Sequence, residues 1–295
     1  MFMRVLVAGS SGLIGSALCS RLRERGHDVV RLVRRAPSAE DERRWDPPSG
    51  LIDEGAFDGV DAVVNLCGAP LASGRWSAAR KQVLRDSRLE PTEVLAEAVA
   101  EHRVPVLINA SGISFYGDTG AREVDESAPA GEGFLARLCT EWEAACAPAV
   151  NSGSRVVLPR IAPVLTWRGG LLRLARPVFR LGLGAVLGDG DQYLPWISLP
   201  DVVGAIVFCL DNPEVSGPVN VTVPRPLTNA EFTKVVGRAV RRPTPWRIPA
   251  PPLRVLFGEA ADEMLLAGPR AVPGVLTRCG YPYVFTDLDR ALSAS

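Results

Sequence analysis

The sequence predicts an α/β fold in which helices cover both faces of a parallel, doubly wound sheet. Its first two-thirds contain apolar, β-branched segments without polar alternation, which is typical of strands buried on both faces. Segments with helical spacing of apolar residues lie between them, and this alternation favours a parallel sheet. The predicted strands are 4–8, 28–33, 61–66, 104–110, 155–160 and 219–223.

Helix signals complete this pattern. The predicted helices are 15–25, 77–88, 92–102 and 137–147. The first should stop at Gly26, because glycine commonly ends helices. The second and third are separated by Pro91, since proline interrupts helical hydrogen bonding. Thr228 and Glu231 have the spacing of a capping box that opens a further helix.

The amino-acid composition changes after about residue 166, where glycine and proline become frequent. We therefore predict one α/β domain over 1–165, with returning segments at about 196–223. Residues 166–195 and 224–295 are predicted to form a smaller, substrate-binding C-terminal lobe.

The amino-acid composition argues against several classes of function. The 295 residues carry 33 basic and 33 acidic side chains, without the broad basic excess of nucleic-acid binders, so no nucleic-acid partner is predicted. The six cysteines lack ligand spacing, which favours buried free thiols and predicts no metal site. No apolar stretch approaches the roughly 18 residues of a membrane helix, and the first glycine comes too early for a signal peptide. We therefore predict a cytoplasmic protein without a membrane partner.

The first predicted strand leads directly into a glycine-rich turn, Gly9-Ser10-Ser11-Gly12-Leu13-Ile14-Gly15, and a helix follows at once. In a dinucleotide-binding turn, the first glycine allows a sharp bend, the second a close approach of the backbone to a pyrophosphate, and the third close packing of the helix. Free amide groups at the helix N-terminus attract the phosphates. These seven residues are predicted to bind a cofactor on a Rossmann-type fold; a turn without a ligand is the alternative.

The end of the second predicted strand indicates which dinucleotide binds. An NAD site places Asp or Glu about 20 residues after the glycines, to bind the ribose 2′-hydroxyl. Here Arg34 and Arg35 follow the strand, and no acidic residue appears between them and Glu40. Two guanidinium groups favour a 2′-phosphate, which predicts NADP(H) over NAD. A solvated pair on a loop is the alternative.

Further motifs carry a family resemblance. They are Asn65-Leu66-Cys67-Gly68-Ala69, Asn109-Ala110-Ser111, Phe115-Tyr116-Gly117-Asp118 and Trp196-Ile197-Ser198-Leu199-Pro200-Asp201. With the glycine turn, they resemble the extended, epimerase-like branch of the short-chain dehydrogenase/reductases. Closer signs are Arg75-Trp76-Ser77, Asp86-Ser87-Arg88, Leu138-Cys139-x-x-Trp142-Glu143 and Arg180-Leu181-Gly182-Leu183-Gly184. These resemble the group called epimerase family proteins, over nearly the whole chain.

The resemblance implies site residues and ligands. Leu66, Cys67 and Gly68 would line the adenine and ribose side of the cofactor, and Ser111 would lie near the nicotinamide. The substrate would be a small molecule with a hydroxyl or carbonyl group, a nucleotide sugar being one example. A homodimer is an assembly that the sequence leaves open.

The sequence departs from the resemblance at the catalytic pair. Active members of the superfamily carry Tyr and Lys four residues apart on one helix, where the ammonium group lowers the pKa of the phenol. None of the four tyrosines has Lys four residues later, and neither Lys81 nor Lys234 has Tyr four residues before it. The helix expected to carry the pair begins Phe134-Leu135-Ala136-Arg137-Leu138-Cys139.

The polar residues that remain near the expected site are Ser111, Ser114, Tyr116 and Asp118, with Glu141 and Glu143 on the following helix. Of these, Ser111 and Tyr116 are the candidates for catalysis. Tyr116 is either a proton donor oriented by Ser111 or a packing residue. Glu143 is more typical of a surface residue or an arginine partner than of a base. His27, which follows Gly26 in a turn, is interpreted as a solvated loop residue, and His102, at a helix end, as structural.

Two arginine-containing segments have alternative interpretations. Arg75-Trp76 is either a clamp for an anionic substrate or an arginine stacked on a tryptophan. Arg168, Arg173, Arg176 and Arg180 put guanidinium groups on one helix side, which is either an anion site or a solvated face.

Two functions of different classes follow from these residues. The first is an NADP(H)-dependent oxidoreductase or epimerase-like enzyme. The second is an NADPH-binding sensor or interaction protein with little catalysis, which the missing Tyr/Lys pair favours.

Overall fold

The computed structural model describes residues 2–72 and 75–294, which form α/β layers around one large sheet. The strands are β1 Arg4–Ala8, β2 Asp28–Val33, β3 Glu42–Asp46, β4 Leu51–Ile52, β5 Ala62–Asn65, β6 Val106–Asn109, β7 Ser111–Gly112, β8 Glu123–Val124, β9 Arg155–Ile161, β10 Ala185–Leu187, β11 Tyr193–Leu194, β12 Gly217–Val221, β13 Leu227–Thr228, β14 Trp246–Ile248 and β15 Arg270–Ala271. The α-helices are α1 Leu13–Glu24, α2 Ala78–Glu101, α3 Phe134–Ala144, α4 Ala147–Asn151, α5 Gly170–Arg180, α6 Leu199–Asp211, α7 Asn229–Ala239, α8 Ala250–Phe257, α9 Glu259–Met264, α10 Gly274–Arg278 and α11 Leu288–Ser293.

The central sheet has the order β12-β9-β6-β5-β1-β2-β3-β4, with β7 also beside β9. Its neighbouring strands are parallel except β3 and β4, which form an antiparallel edge. The chain runs outward from β1 through β2 and β3, then returns to β5 on the opposite side of β1. This reversal opens a crevice at the carboxyl ends of β1 and β5, where doubly wound sheets bind ligands.

Two hydrophobic layers cover the sheet. In β1, Val5 and Val7 face the cluster that includes residues of α1 and α6. Leu6 and Ala8 face the cluster that includes residues of α2 and α4. Because both faces are covered by apolar residues, the strands need no polar alternation. The predicted fold class is confirmed.

The predicted strands agree closely with the observed ones. Strands β1 and β2 have the predicted bounds, and the other four predicted strands start or end within two residues of the prediction. Gly26 adopts a φ of 81° just after α1, and Thr228 with Glu231 forms the capping box of α7. The antiparallel edge of β3 and β4 was not predicted.

The predicted break at Pro91 is wrong. Helix α2 continues through this residue, which is buried. Its two halves pack into different clusters, Leu84 and Leu89 near α3, and Leu95 and Val99 against the sheet. Proline in a helix interior costs about 3 kcal/mol, whereas burying each such apolar side chain contributes about 1.5–3 kcal/mol. Tertiary packing therefore outweighs the local signal.

The C-terminal elements form small additions to the sheet layers. Strands β10 and β14, β11 and β13, and β8 and β15 form two-stranded pairs. Leu172 of α5, Phe232 of α7 and Leu276 of α10 belong to the same cluster as Val5 and Leu18, so these elements share one core with the sheet. The proposed domain boundaries stay a prediction. Among residues 2–72 and 75–294, none of the helices combines the length and the hydropathy of a membrane span.

Candidate cofactor and active site

The turn after β1 places two backbone segments in close contact. Gly9 has a φ of 76°, and a Cβ atom there would lie 2.8 Å from the carbonyl carbon of Leu66. A Cβ atom at Gly15 would lie 2.2 Å from the Gly9 oxygen. Ser10 is buried between these glycines and Ser11 is exposed. Only glycine fits both positions, as the sequence predicts for a dinucleotide-binding turn.

Helix α1 presents unused donors at the crevice. Gly12 is its N-cap and donates its N–H to the Gly9 oxygen at 3.1 Å, within the turn. The N–H groups of Leu13, Ile14 and Gly15 lie in the first helical turn, where no intrahelical acceptor exists. No acidic residue stands in that turn and no side chain caps it. These amides and the helix dipole therefore favour an anion in front of Gly12.

The two arginines after β2 have different surroundings. Arg35 donates to both carboxylate oxygens of Glu42, at 2.7 and 2.6 Å. The Arg35 guanidinium lowers the pKa of Glu42 to about 2, assisted by the Ser38 N–H. Arg34 is exposed, and no acidic side chain of the described residues pairs with it. Of the two predicted arginines, Arg35 is therefore held by an ion pair, whereas the guanidinium group of Arg34 is left for a ligand.

The loop after β5 lies against the glycine turn. Leu66 packs on Gly9, and the Cys67 N–H donates to the Asn65 side chain at 3.1 Å. Burial raises the pKa of Cys67 to about 12, and the Arg34 charge opposes this shift. Arg34 thus lies near the loop predicted to line the adenine and ribose. Gly68 lies over the buried Arg88, whose Cζ would be 3.2 Å from a Cβ atom there.

A continuous chain of hydrogen bonds joins five elements near the predicted nicotinamide side: β7, the 3₁₀ helix Ile113–Tyr116, α3, β9 and β12. Ser111 donates its hydroxyl hydrogen to Glu143 Oε1 at 2.7 Å. Arg160 donates to both Glu143 oxygens at 2.8 Å, and to the Tyr116 hydroxyl at 2.9 Å. Tyr116 in turn donates to Asn220 Oδ1 at 2.7 Å. We call these five residues the Ser111–Asn220 network.

Tyr116 is fixed inside this network. Its side chain is buried, and burial raises the pKa of its phenol, while the Arg160 charge opposes the shift. Ser111 does not bond to it directly, because Glu143 and Arg160 stand between them. Of the two interpretations from the sequence, this geometry favours the packing role. Its predicted catalytic role stays untested.

Sequence reasoning found part of this network. Glu143 as an arginine partner is confirmed by its contact with Arg160. Arg160 and Asn220 were missed. Their signal in the sequence is a polar side chain within an otherwise apolar strand, β9 or β12, since such residues are buried only with partners.

The segment before α2 is held by its tryptophan. Trp76 meets the Phe134 ring edge-on at 5.4 Å and donates its Nε1–H to the Leu71 oxygen at 3.0 Å. Arg75 lies beside Gly258 instead of on the Trp76 ring. The two preceding residues, Ser73 and Gly74, lie outside the described residues.

Neither histidine belongs to the network. The expectation of a solvated His27 is wrong, because this residue is buried and, among the described residues, its Nδ1 has no hydrogen-bond partner. His102 is the C-cap of α2, as predicted, and its ring stacks on Phe57 at 4.8 Å.

This chain is similar in sequence to known protein families and to individual known proteins. The NAD dependent epimerase/dehydratase family matches residues 5–222, and a domain of unknown function, DUF1731, matches residues 248–295. An epimerase family protein of Mycobacterium bovis is 55% identical over 288 residues, which are 98% of this chain and 96% of that protein.

The chain is also similar to solved structures of other proteins. The human epimerase family protein SDR39U1, crystallised with NADPH, is 34% identical with a TM-score of 0.89, over 99% of this chain and 98% of that chain. The UDP-glucose 4-epimerase of Thermus thermophilus, solved with NAD, is 21% identical with a TM-score of 0.74, over 98% and 96% of the two chains. At that identity the likeness shows the fold alone. Because the matched residues include the glycine turn, the loop after β5 and the whole Ser111–Asn220 network, this chain belongs to the NAD dependent epimerase/dehydratase family.

Proposed function

We propose that this protein is an NADPH-dependent oxidoreductase or epimerase that acts on a small molecule with a hydroxyl or carbonyl group. The observation that carries the proposal is the set of groups that follow the carboxyl ends of the parallel strands. It combines free amides at the start of α1, an available Arg34, and the Ser111–Glu143 pair. The family match and the NADPH bound to the human relative support the same conclusion.

The residues present fit NADPH. A pyrophosphate would lie against the N–H groups of Leu13, Ile14 and Gly15, where Gly12 leaves room for it. Arg34 would bind the 2′-phosphate with its unpaired guanidinium group. Arg35 would act indirectly, by fixing the loop through Glu42. The cofactor supplies hydride chemistry when it is bound.

Proton transfer is assigned to Ser111 and Glu143. Oxidation of a substrate hydroxyl releases one proton, which Ser111 Oγ accepts as its own hydrogen passes to Glu143 Oε1, 2.7 Å away. Reduction of a carbonyl uses the reverse transfer. Arg160 holds both carboxylate oxygens and so fixes the acceptor toward Ser111. This pair would take the place of the missing Tyr/Lys pair.

Tyr116 is assigned a positioning role. Its hydroxyl accepts from Arg160 and donates to Asn220, so it orients the guanidinium group that holds Glu143. Tyr116→Phe should therefore lower kcat less than Ser111→Ala does, because the Glu143 contact with Arg160 remains.

A second candidate function is an NADPH-binding sensor. The specific observation in its favour is the buried, fully bonded phenol of Tyr116, which leaves no free phenol donor at this position. In that case Ser111 and Glu143 would only stabilise the layer between β7 and α3.

Turnover measurements distinguish these candidates. Oxidation of NADPH and reduction of NADP⁺ should be followed with a panel of aldehydes, ketones, alcohols and nucleotide sugars. Turnover by the wild type that is lost in Ser111→Ala, with NADPH affinity unchanged, supports the enzyme. Tight NADPH binding with no turnover across the panel supports the sensor. The cytoplasmic location and the homodimer stay predictions.

A further inference from the structure

Four arginines surround an open cavity at the surface of α5. The cavity has a volume of about 580 Å³, and its lining includes Arg168, Arg173, Arg176 and Arg180 together with Trp167 and Leu181. This volume lies in the range of small-molecule sites, roughly 300–1,000 Å³. None of these residues belongs to the glycine turn, the loop after β5 or the Ser111–Asn220 network.

The charge of this cavity is not balanced by acidic side chains. The chain has no Asp or Glu between Glu143 and Asp189, while this stretch contains the four arginines of the cavity. In the described parts of the chain, none of these four guanidinium groups forms an ion pair. Residues 173, 176 and 180 share one helix face, where like charges three and four residues apart repel. A bound anion would relieve this repulsion.

One side of the cavity is held in place. Trp167 donates its Nε1–H to the Leu292 oxygen at 3.0 Å, which fixes the indole. The Arg176 Cζ lies 5.3 Å from the centroid of this ring, so the guanidinium is positioned by a cation–π contact. An arginine placed in this way keeps N–H donors for a ligand, because the ring contacts only its face.

We propose that this cavity binds a soluble polyphosphate, such as the triphosphate group of a nucleotide or an inorganic chain of similar charge. Several guanidinium groups around one concavity match an anion with several charges, and their paired donors fit phosphate oxygens. The concave shape favours a compact soluble anion over a flat lipid surface.

The site adjoins the glycine turn. Gly169, directly after Arg168, packs against Leu13, whose Cδ1 would lie 3.1 Å from a Cβ atom at Gly169. An anion that orders Arg168 therefore acts on the segment that touches the start of α1. We expect saturating polyphosphate to change the Kd for NADPH, and NADPH to change the Kd for polyphosphate by the same factor.

Calorimetry with sodium tripolyphosphate at constant ionic strength tests the proposal. We expect saturable binding of one anion per chain. Arg173→Gln with Arg180→Gln should weaken it by roughly tenfold or more, since two charged donors are lost. Arg122→Gln with Arg137→Gln is the matched control, because both arginines are exposed and the charge change is equal. The control should bind within about twofold of the wild type.

A second variant separates this site from the cofactor turn. Gly12→Ala narrows the turn and should weaken NADPH binding but not tripolyphosphate binding, so a failure of the proposed cofactor site would leave this result intact. The proposal is overturned if the wild type shows no saturable binding, or if both arginine pairs weaken it equally. It is also overturned if Gly12→Ala abolishes tripolyphosphate binding, or if the protein binds phosphatidic acid vesicles but not tripolyphosphate.

Discussion

In the proposed function, cofactor choice depends on the exposed guanidinium group of Arg34. Arg34 has no acidic partner among the described residues, whereas Arg35 and Arg31 are bonded to Glu42 and Asp41. A hydrogen bond to a charged group contributes about 1.5–3 kcal/mol. Because about 1.4 kcal/mol corresponds to a tenfold change in Kd, Arg34→Asp should raise the Kd for NADPH about 10- to 150-fold.

The test compares two cofactors in two variants. Calorimetry should show that Arg34→Asp changes the Kd for NADH by no more than about twofold, since NADH has no 2′-phosphate. The control is Arg35→Gln, which breaks the contact with Glu42 and should lower stability without changing the ratio of the two affinities. Equal losses of NADPH and NADH affinity in Arg34→Asp would remove Arg34 from the 2′-phosphate site.

Three further predictions concern the turn, the loop and the network. Gly15→Ala places a methyl group 2.2 Å from the Gly9 oxygen. Chemical denaturation should therefore show that the free energy of unfolding falls by about 1–3 kcal/mol. An unchanged denaturation midpoint would contradict this close contact. The folded-state pKa of Glu42 is lowered from 4.5 to about 2, so its ion pair stabilises the protein above pH 4.5, and this stabilisation is lost as the pH falls from 4.5 toward 2. Glu42→Gln should flatten this part of a plot of Tm against pH, and a profile identical to that of the wild type would refute the assignment. Glu143→Leu alone should lower the free energy of unfolding by about 3–5 kcal/mol, because Arg160 stays charged and buried without its partner. Glu143→Leu combined with Arg160→Met should restore this stability but not turnover. Turnover in the double variant would rule out the proton-transfer role.

The parts of the fold that the sequence predicts are those with purely local causes. Strands β1 and β2 are mostly buried and, apart from Arg4, Asp28 and Arg31, apolar, so their bounds are clear. Strand β3 was missed because it contains Glu42 and two arginines, and its burial depends on pairing with β2. The continuity of α2 through Pro91 likewise depends on contacts with α3 and the sheet.

The candidate site likewise contains one part that the sequence predicts and one part that it does not. The glycine turn is contiguous in sequence, so its role follows from seven adjacent residues. The Ser111–Asn220 network is not contiguous: Tyr116 and Asn220 are 104 residues apart, and Ser111 and Glu143 are 32 apart. Their contacts follow from the placement of β9 beside β6, β7 and β12, which no local pattern specifies.

The cost of the Glu143–Arg160 pair bears on whether the protein is an enzyme. The two side chains are only 12% and 4% exposed, and removing both charges from water costs several kcal/mol, which their attraction often fails to recover. A protein that only bound NADPH would be as stable, or more stable, with apolar side chains at these positions. The Ser111 hydroxyl donates to this carboxylate, so the proposed proton transfer would give the pair a chemical use that packing does not require. A buried charge pair beside a hydroxyl, at the carboxyl edge of the sheet, therefore favours proton transfer over cofactor binding alone.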